Sequence, residues 1–361
     1  MKTNAKFEHG GNIHKAKRDK NTKLIDFSAN INSLGLSVAV EAKIKASIDE
    51  IIHYPDPDCY ELKKLLGQCY SIPKKYITIG NGAVELLYIF CNILKPKNVM
   101  IMAPSFCEYE RAALASAAKI NYHYLEVKND FKLKVSELIN KLDGNDIVFL
   151  CNPNNPTGTI LKYQEIDSIL AVAKAKNIVI FVDESFIDFI ENNQEYTCRQ
   201  LIQHYDNLVI LHSLTKFYAI PGLRLGFMLA NSDLTQKMHL AKDPWNVNVL
   251  AQVAGVAALN DKEYQKQSIE NLNYTKSLFY DKLKSIEKLK VYPPTVNYIF
   301  IDIKNTGYTA RELQELLLKD NILIRNCENY PGLSEYYIRL AIKDEKNNNL
   351  LINYLQKIIG D

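Results

Sequence analysis

Residues 146–184 read DIVFLCNPNNPTGTILKYQEIDSILAVAKAKNIVIFVDE. The segment opens on an apolar run, DIVFLC (Asp146–Cys151), and passes through a loop with two prolines and a glycine. It continues as a helical pattern over Lys162–Lys176 and closes on a second apolar run, NIVIFV (Asn177–Val182). A short apolar run, a helix and another short apolar run fit two parallel strands joined by a covering helix. The pattern recurs outward in both directions. The other runs are YITIG (Tyr76–Gly80), NVMIM (Asn98–Met102), INYHYLEV (Ile120–Val127), NLVILH (Asn207–His212) and LGFMLA (Leu225–Ala230), with helical segments such as Ala83–Leu94 between them. Strands that are apolar throughout and separated by helices predict a mostly parallel, seven-stranded α/β sheet covered on both faces.

The C-terminal third differs. Ala251–Ile286 reads as one long helical stretch. It is followed by VNYIFIDI (Val296–Ile303), a helix around Ala310–Lys319, ILIRNC (Ile322–Cys327), YYIRLAI (Tyr336–Ile342) and a final helix. That mixture predicts a smaller α+β domain. The first forty-odd residues are polar and poorly periodic, and they read as an arm. The expected organisation is an arm over residues 1–44, a large domain over 45–247 and a small domain over 248–361.

The chain has 361 residues, with 44 Lys plus Arg against 41 Asp plus Glu, a formal net charge of +3. That balance supplies no field for holding nucleic acid or an anionic membrane. At 47% hydrophobic and 24% charged, the composition is that of a globular protein rather than a disordered one. No apolar run approaches the ~18 residues of a membrane span, and the first twenty residues lack the apolar stretch of a signal peptide. The seven cysteines are scattered, with no Cys-x-x-Cys, which argues against zinc and thioredoxin-type sites and for a reducing cytoplasm. No metal is expected.

Ligands of open α/β sheets bind beyond the carboxyl ends of the strands, and several such ends carry chemistry here. Gly80-Asn81-Gly82-Ala83 follows YITI and opens a helix. Its backbone amides and positive helix end can cradle a phosphate, although a plain strand-to-helix turn would look the same. Asn152–Gly158 (NPNNPTG) is a loop stiff enough to aim an amide side chain. Asp183 ends an apolar strand, either as a helix cap or as the partner of a buried positive nitrogen. Beyond NLVILH lie Ser213, Thr215, Lys216 and Arg224. Desolvation of Lys216 would lower its pKa and favour an amine that attacks a carbonyl, and Arg224 suits a phosphate. A lysine for an imine, a carboxylate for a pyridinium nitrogen and a phosphate cradle together call for pyridoxal 5′-phosphate (PLP). The glycine turn matches neither G-x-x-x-x-G-K-[ST] nor G-x-G-x-x-G, which counts against a nucleotide-binding kinase or dehydrogenase.

The set GNGAVEL, PSFCEY, NPNNPTG, VDESF, SLTKFYAIPGLRLGF and YIRLA resembles the fold-type I PLP enzymes of the class I/II aminotransferase superfamily, over nearly the whole length. Within it the chain is similar to the histidinol-phosphate aminotransferase branch. It is more similar to the threonine-phosphate decarboxylase branch, through His9-Gly10-Gly11-Asn12, DFSANIN (Asp26–Asn32), the long stretch Ser213–Phe227 and Ile324–Leu333 with its NYPGL. The resemblance implies that Lys216 bonds covalently to the cofactor and that Asp183 keeps the pyridine nitrogen protonated. Asn155 would bond the phenolic oxygen, and Tyr109 would stack on the ring. Gly82, Ala83, Ser213, Thr215 and Arg224 would hold the phosphate. Tyr54 would reach the neighbouring subunit's phosphate, which implies a homodimer with shared sites. His9, Gly10, Asn30, Asn155, Arg325 and Arg339 would hold the substrate, the arm contributing to that site.

The implied reaction is decarboxylation of O-phospho-L-threonine to (R)-1-aminopropan-2-ol phosphate, in cobalamin biosynthesis. The alternative is transamination of histidinol phosphate with 2-oxoglutarate. Two departures stand out. Phe186 occupies a position where the aminotransferases carry tyrosine, and Ser33 replaces a turn proline in Ile31–Gly35. By residue type alone, His9 could be an exposed arm residue, and Arg339 could be a strand-edge arginine paired with Glu335.

Overall fold

The computed structural model describes residues 7, 9–14, 18 and 24–360. Strand β1 (Ile25–Asp26) comes first, followed by the seven strands of the large sheet: β2 (Ile77–Asn81), β3 (Asn98–Ala103), β4 (Lys119–Tyr124), β5 (Ile147–Cys151), β6 (Val179–Asp183), β7 (Leu208–Ser213) and β8 (Leu225–Leu229). Their order is β2-β8-β7-β6-β5-β3-β4. Pairings among β3 to β7 are parallel, while β8 runs antiparallel to both β2 and β7. Each strand lies within one of the apolar runs or overlaps it by all but a residue at an end.

Burial follows the two-residue period of the strands. Ile147, Phe149, Phe181, Val209 and Leu211 pack on one face beneath the helices Ala83–Leu94 and Glu108–Ala115. Val148, Leu150, Ile180, Val182 and Ile210 pack on the other, with Ile166, Ile169 and Leu170 of the helix Tyr163–Ala175. Both faces are covered, as continuous apolar strands require. No helix among the described residues is long and apolar enough to cross a membrane.

A second sheet has the order β12-β13-β10-β9, from β9 (Lys290–Val291), β10 (Tyr298–Asp302), β12 (Arg325–Asn326) and β13 (Tyr337–Ala341). Strand β11 (Ile322–Leu323) pairs instead with β1, in parallel. Two expectations change. Residues 251–286 form two helices, Val249–Asn260 and Lys262–Lys284, because Asp261 leaves helical geometry and its carboxylate accepts from the Tyr264 amide at 3.0 Å, capping the second helix. ILIRNC divides between two sheets at Ile324. A run of apolar residues reports burial, not the partner strand.

Candidate active site

In the large sheet the ends of β5, β6 and β7 lie at one edge, where Cys151 is register partner of Asp183 and Ser213 of Gly226. Gly82 (φ +82°) joins β2 to the helix Ala83–Leu94, whose first turn has no side-chain cap. A Cβ on Gly82 would collide with the Arg224 guanidinium, and one on Gly226 would stand 2.6 Å from the Ala83 nitrogen. The free helix N–H groups, Arg224 and a backbone stripped of Cβ atoms therefore meet in one concavity. Ser213 and Thr215 join them, buried, with hydroxyls 2.7 Å apart.

The three asparagines of the 152–158 loop divide their labour. Asn152 spans the loop, donating to the Leu161 carbonyl at 3.1 Å and accepting from its amide at 2.8 Å. Asn154 donates to Thr157 Oγ1 at 2.8 Å and to the Pro104 carbonyl at 3.1 Å. With the loop so braced, Asn155 turns into the site. Its Oδ1 accepts from Arg339 Nη1 and from the Tyr330 hydroxyl at 3.3 Å, which leaves its Nδ2 donors for a ligand.

Lys216 lies in a one-turn helix, Leu214–Phe217, after β7, with its ammonium 4.9 Å from the centre of the Phe186 ring. Desolvation lowers its pKa, partly countered by Asp183, while Arg224 and Arg339 push the same way as burial. Asp183, Arg224 and Arg339 are thus all close enough to act on Lys216. Asp183 is buried. Its Oδ1 accepts from the Ser185 amide at 2.8 Å and its Oδ2 from the Tyr109 hydroxyl at 2.6 Å.

That bond corrects the role expected of Tyr109. Its ring is fully buried and stacks on Phe149, 5.3 Å between centroids at 5°. No face is left to lie on a cofactor. The aromatic side chain available there is the half-buried Phe106, three residues earlier, edge-on to Tyr109 at 5.6 Å.

Arg325 and Arg339 are register partners on β12 and β13, and both are buried. Arg325 donates to Asn329 at 2.7 Å and lies 5.2 Å from the Tyr330 ring centre. Arg339 holds the Asn155 amide and the Ser28 carbonyl, the latter at 2.7 Å, rather than Glu335. Its Nε and the Asn30 Oδ1 are buried without a hydrogen-bond partner. The segment beside Asn30 runs along the lysine turn, with the Asn32 amide donating to the Lys216 carbonyl at 3.0 Å. Ser33 preserves this turn without proline, because Asn32 Oδ1 accepts from Leu34 N at 3.1 Å and Ser33 Oγ accepts from Asn271 at 3.1 Å.

Gly10 packs against the Ser28 carbonyl so closely that a Cβ would collide with it, and Gly11 N donates to Ser28 Oγ at 2.8 Å. His9 lies 2.7 Å from Glu108 Oε1. Tyr54 is not drawn in by its own chain: its exposed ring stacks on Trp245 at 4.6 Å. Residues the sequence did not single out are Phe106, Glu108, Ser28, Tyr330 and Tyr298, whose hydroxyl donates to the Asn154 carbonyl at 2.7 Å and whose ring centre lies 5.4 Å from the Arg339 guanidinium. The tyrosines were hidden among 22, and only the NYPGL stretch flagged Tyr330.

The residues fit PLP. A phosphate suits the Gly82–Arg224 cradle, the Lys216 amine feels both Arg224 and the buried Asp183 carboxylate, and the Asn30 amide oxygen and an Arg339 guanidinium nitrogen are buried without partners. The comparisons agree. The model for "Aminotransferase class I and II" matches residues 22–355. The chain is 36% identical to the threonine-phosphate decarboxylase of Salmonella typhimurium, over 97% of this chain and 96% of that protein. Among solved structures, the histidinol-phosphate aminotransferase from Clostridium acetobutylicum matches with a TM-score of 0.88 at 29% identity, covering 93% of this chain and 99% of that one. The L-threonine-O-3-phosphate decarboxylase from Porphyromonas gingivalis matches at 0.83 and 27%, with the same coverage. A family match across nearly the whole length, on a fold that gathers these residues at one sheet edge, makes this chain a member of the class I and II aminotransferase family of PLP-dependent enzymes.

Proposed function

We propose that this chain binds PLP and decarboxylates O-phospho-L-threonine to (R)-1-aminopropan-2-ol phosphate, a step of cobalamin biosynthesis. The observation that carries the reading is the pair Arg325 and Arg339, buried side by side on adjacent strands. Arg339 is held by neutral oxygens. Two fixed guanidinium groups suit a doubly charged phosphate.

Bound PLP would supply an electron sink for the pair released when a bond to the substrate Cα breaks. The chain's own residues do the rest. Gly82, Ala83, Ser213, Thr215 and Arg224 hold the cofactor phosphate. Asp183 keeps a proton on the pyridine nitrogen, and Asn155 donates to the phenolic oxygen. Phe106 covers the ring. Lys216, its pKa lowered by burial, would be the covalent anchor and, once freed as an amine by the incoming substrate amine, would carry a proton to the substrate Cα. Arg325, Arg339, Asn30 and the arm residues His9 and Gly10 would fix the substrate through its phosphate and so set which Cα bond is presented for cleavage. Phe186 offers no hydroxyl to the phenolic oxygen, consistent with the decarboxylase branch.

A homodimer completes this reading. Val38, Ile51, Ile52, Tyr54, Leu240 and Trp245 are large exposed apolar residues, a composition that suits burial against a second copy, and Tyr54 would then reach the partner's cofactor phosphate. The second reading, transamination of histidinol phosphate, uses the same cationic pocket and draws support from the likeness to the Clostridium enzyme.

Substitution of the anchor tests the reading. Arg325→Ala should weaken O-phospho-L-threonine by about 2–5 kcal/mol in kcat/KM, the scale for truncating one member of a buried charge pair. Unphosphorylated threonine should be a poor substrate for both proteins. Equal use of threonine and its phosphate would remove the basis of the proposal.

A further inference from the structure

We propose that Glu108 is a positioning residue that docks His9 over the substrate pocket as a cation, so that the arm adds a third positive charge for the substrate's phosphate. The proposal rests on the phosphate-binding reading given above.

Glu108 sits buried in the first turn of the helix Glu108–Ala115. A buried carboxylate needs a close cation. Arg111 reaches Oε1 only at 3.4 Å from a side chain that is 54% exposed, and Tyr88 donates to Oε2 at 3.1 Å. His9 Nε2 is the near cation, 2.7 Å from Oε1. On its other side His9 Nδ1 lies 3.8 Å from the Cys107 thiol, and its ring meets Phe106 at 5.6 Å. His9, Cys107 and Glu108 form the one cluster of metal-ligand type among the described residues. Both ring nitrogens already face partners, so the cluster reads as a hydrogen-bond chain rather than a metal site.

The arm also approaches the arginine pair. Gly10, next to His9, presses on the Ser28 carbonyl that also receives Arg339. The arm is therefore tied at two points, to the large sheet's helix through Glu108 and to the segment after β1 through Ser28. His9 carries its charge on an arm whose Gly10 lies against the carbonyl that Arg339 holds; a cation added near the buried arginines is disfavoured unless an anion offsets it, and Glu108 is that anion. The groups facing His9 agree in sign. Hydrogen bonds to Cys107 and Glu108 raise its pKa to about 9 against the cost of burial. Burial alone would raise Glu108, but His9, Tyr88 and Arg111 outweigh it and hold the carboxyl below its usual range.

The test measures binding of inorganic phosphate and of O-phospho-L-threonine to the holoenzyme as a function of pH. It compares the native protein with His9→Ala, Glu108→Gln and Glu108→Asp. Native affinity should persist to about pH 9 and then fall as His9 loses its proton. His9→Ala should bind about tenfold more weakly below that point and show no such fall. Glu108→Gln should match the native protein near pH 6 but lose affinity at a lower pH than the native protein does, falling by up to about tenfold to the His9→Ala level, because neutral His9 no longer adds its charge. Glu108→Asp should restore most of the native midpoint. A pH-independent loss in Glu108→Gln, or a native profile with no His9-dependent limb, would overturn the anchor. If the predicted profile is found with phosphate but no CO₂ is released from O-phospho-L-threonine, the decarboxylase reading fails and the anchor stands. If CO₂ is released with a profile indifferent to Glu108, the anchor fails alone.

Discussion

The Tyr109 hydroxyl donates a 2.6 Å hydrogen bond to Asp183 Oδ2 from within the protein core. With the Ser185 amide on Oδ1, the carboxylate is held at both oxygens. Burial, and after it the Asp183 charge, pushes the Tyr109 phenol well above its ordinary range, so it stays a donor. Tyr109 therefore acts through Asp183 and not on the cofactor face. Tyr109→Phe removes one hydrogen bond to a charged group, worth about 1.5–3 kcal/mol. Turnover should fall roughly 10–100-fold while PLP stays bound, read by kcat and by the visible absorbance of the holoenzyme. Undiminished kcat would contradict this role.

The phosphate cradle depends on missing Cβ atoms. Gly226→Ala puts a carbon 2.6 Å from the Ala83 nitrogen and 2.9 Å from the His212 carbonyl, both backbone atoms that cannot turn aside. The helix start must then move. PLP affinity should drop by about tenfold or more, since a displaced donor costs about 1–3 kcal/mol. Equilibrium dialysis of the cofactor would show it, and native affinity would exclude a tight approach.

Behind the site lies a buried charge cluster. Arg199 contacts Glu184 Oε2 and Asp188 Oδ1, each at 3.3 Å, and stacks 4.0 Å over the Tyr70 ring. His212 Nε2 meets Asp188 Oδ2 at 2.8 Å. Glu184 follows Asp183 and His212 precedes Ser213, so the cluster braces two strand ends that carry site residues. Arg199→Ala should destabilise the fold by about 3–5 kcal/mol, as for one member of a buried pair, measured by denaturant unfolding. Burial alone would raise the Asp188 carboxyl, but His212 and Arg199 outweigh it and hold it well below the usual carboxylate range. Its stabilising contribution is therefore complete above the unfolded pKa of about 4. It fades as pH falls toward the depressed native value. Asp188→Asn should flatten that acid limb, and an unchanged limb would rule the contribution out.

Shared sites can be tested by mixing subunits. Lys216→Ala alone should form no borohydride-reducible PLP adduct, and Tyr54→Ala alone should hold the cofactor poorly. After subunit exchange the mixture should regain some activity through hybrid sites. No recovery despite demonstrated exchange would contradict a dimer with shared residues.

The large sheet was legible because strands buried on both faces leave unbroken apolar runs, as in Ile147–Cys151 and Val179–Asp183. Lys216 and Asp183 were legible for the complementary reason that charge is out of place at such strand ends. What stayed hidden depends on direction rather than composition. Nothing in Phe106-Cys107-Glu108-Tyr109 tells which aromatic residue turns to the pocket and which to the core, because that follows from the pitch of the helix after Cys107. Glu108 reads as an ordinary helix N-terminal acid until the arm, 99 residues earlier, brings His9 against it. The break at Asp261 is not visible in the sequence because helical pattern continues on both sides of the capping residue.

The most direct measurement is product analysis on O-phospho-L-threonine labelled at its carboxyl carbon. Decarboxylation should yield labelled CO₂ and 1-aminopropan-2-ol phosphate in equal amounts, with no keto acid added. Absence of labelled CO₂, with consumption of histidinol phosphate that requires 2-oxoglutarate, would contradict it.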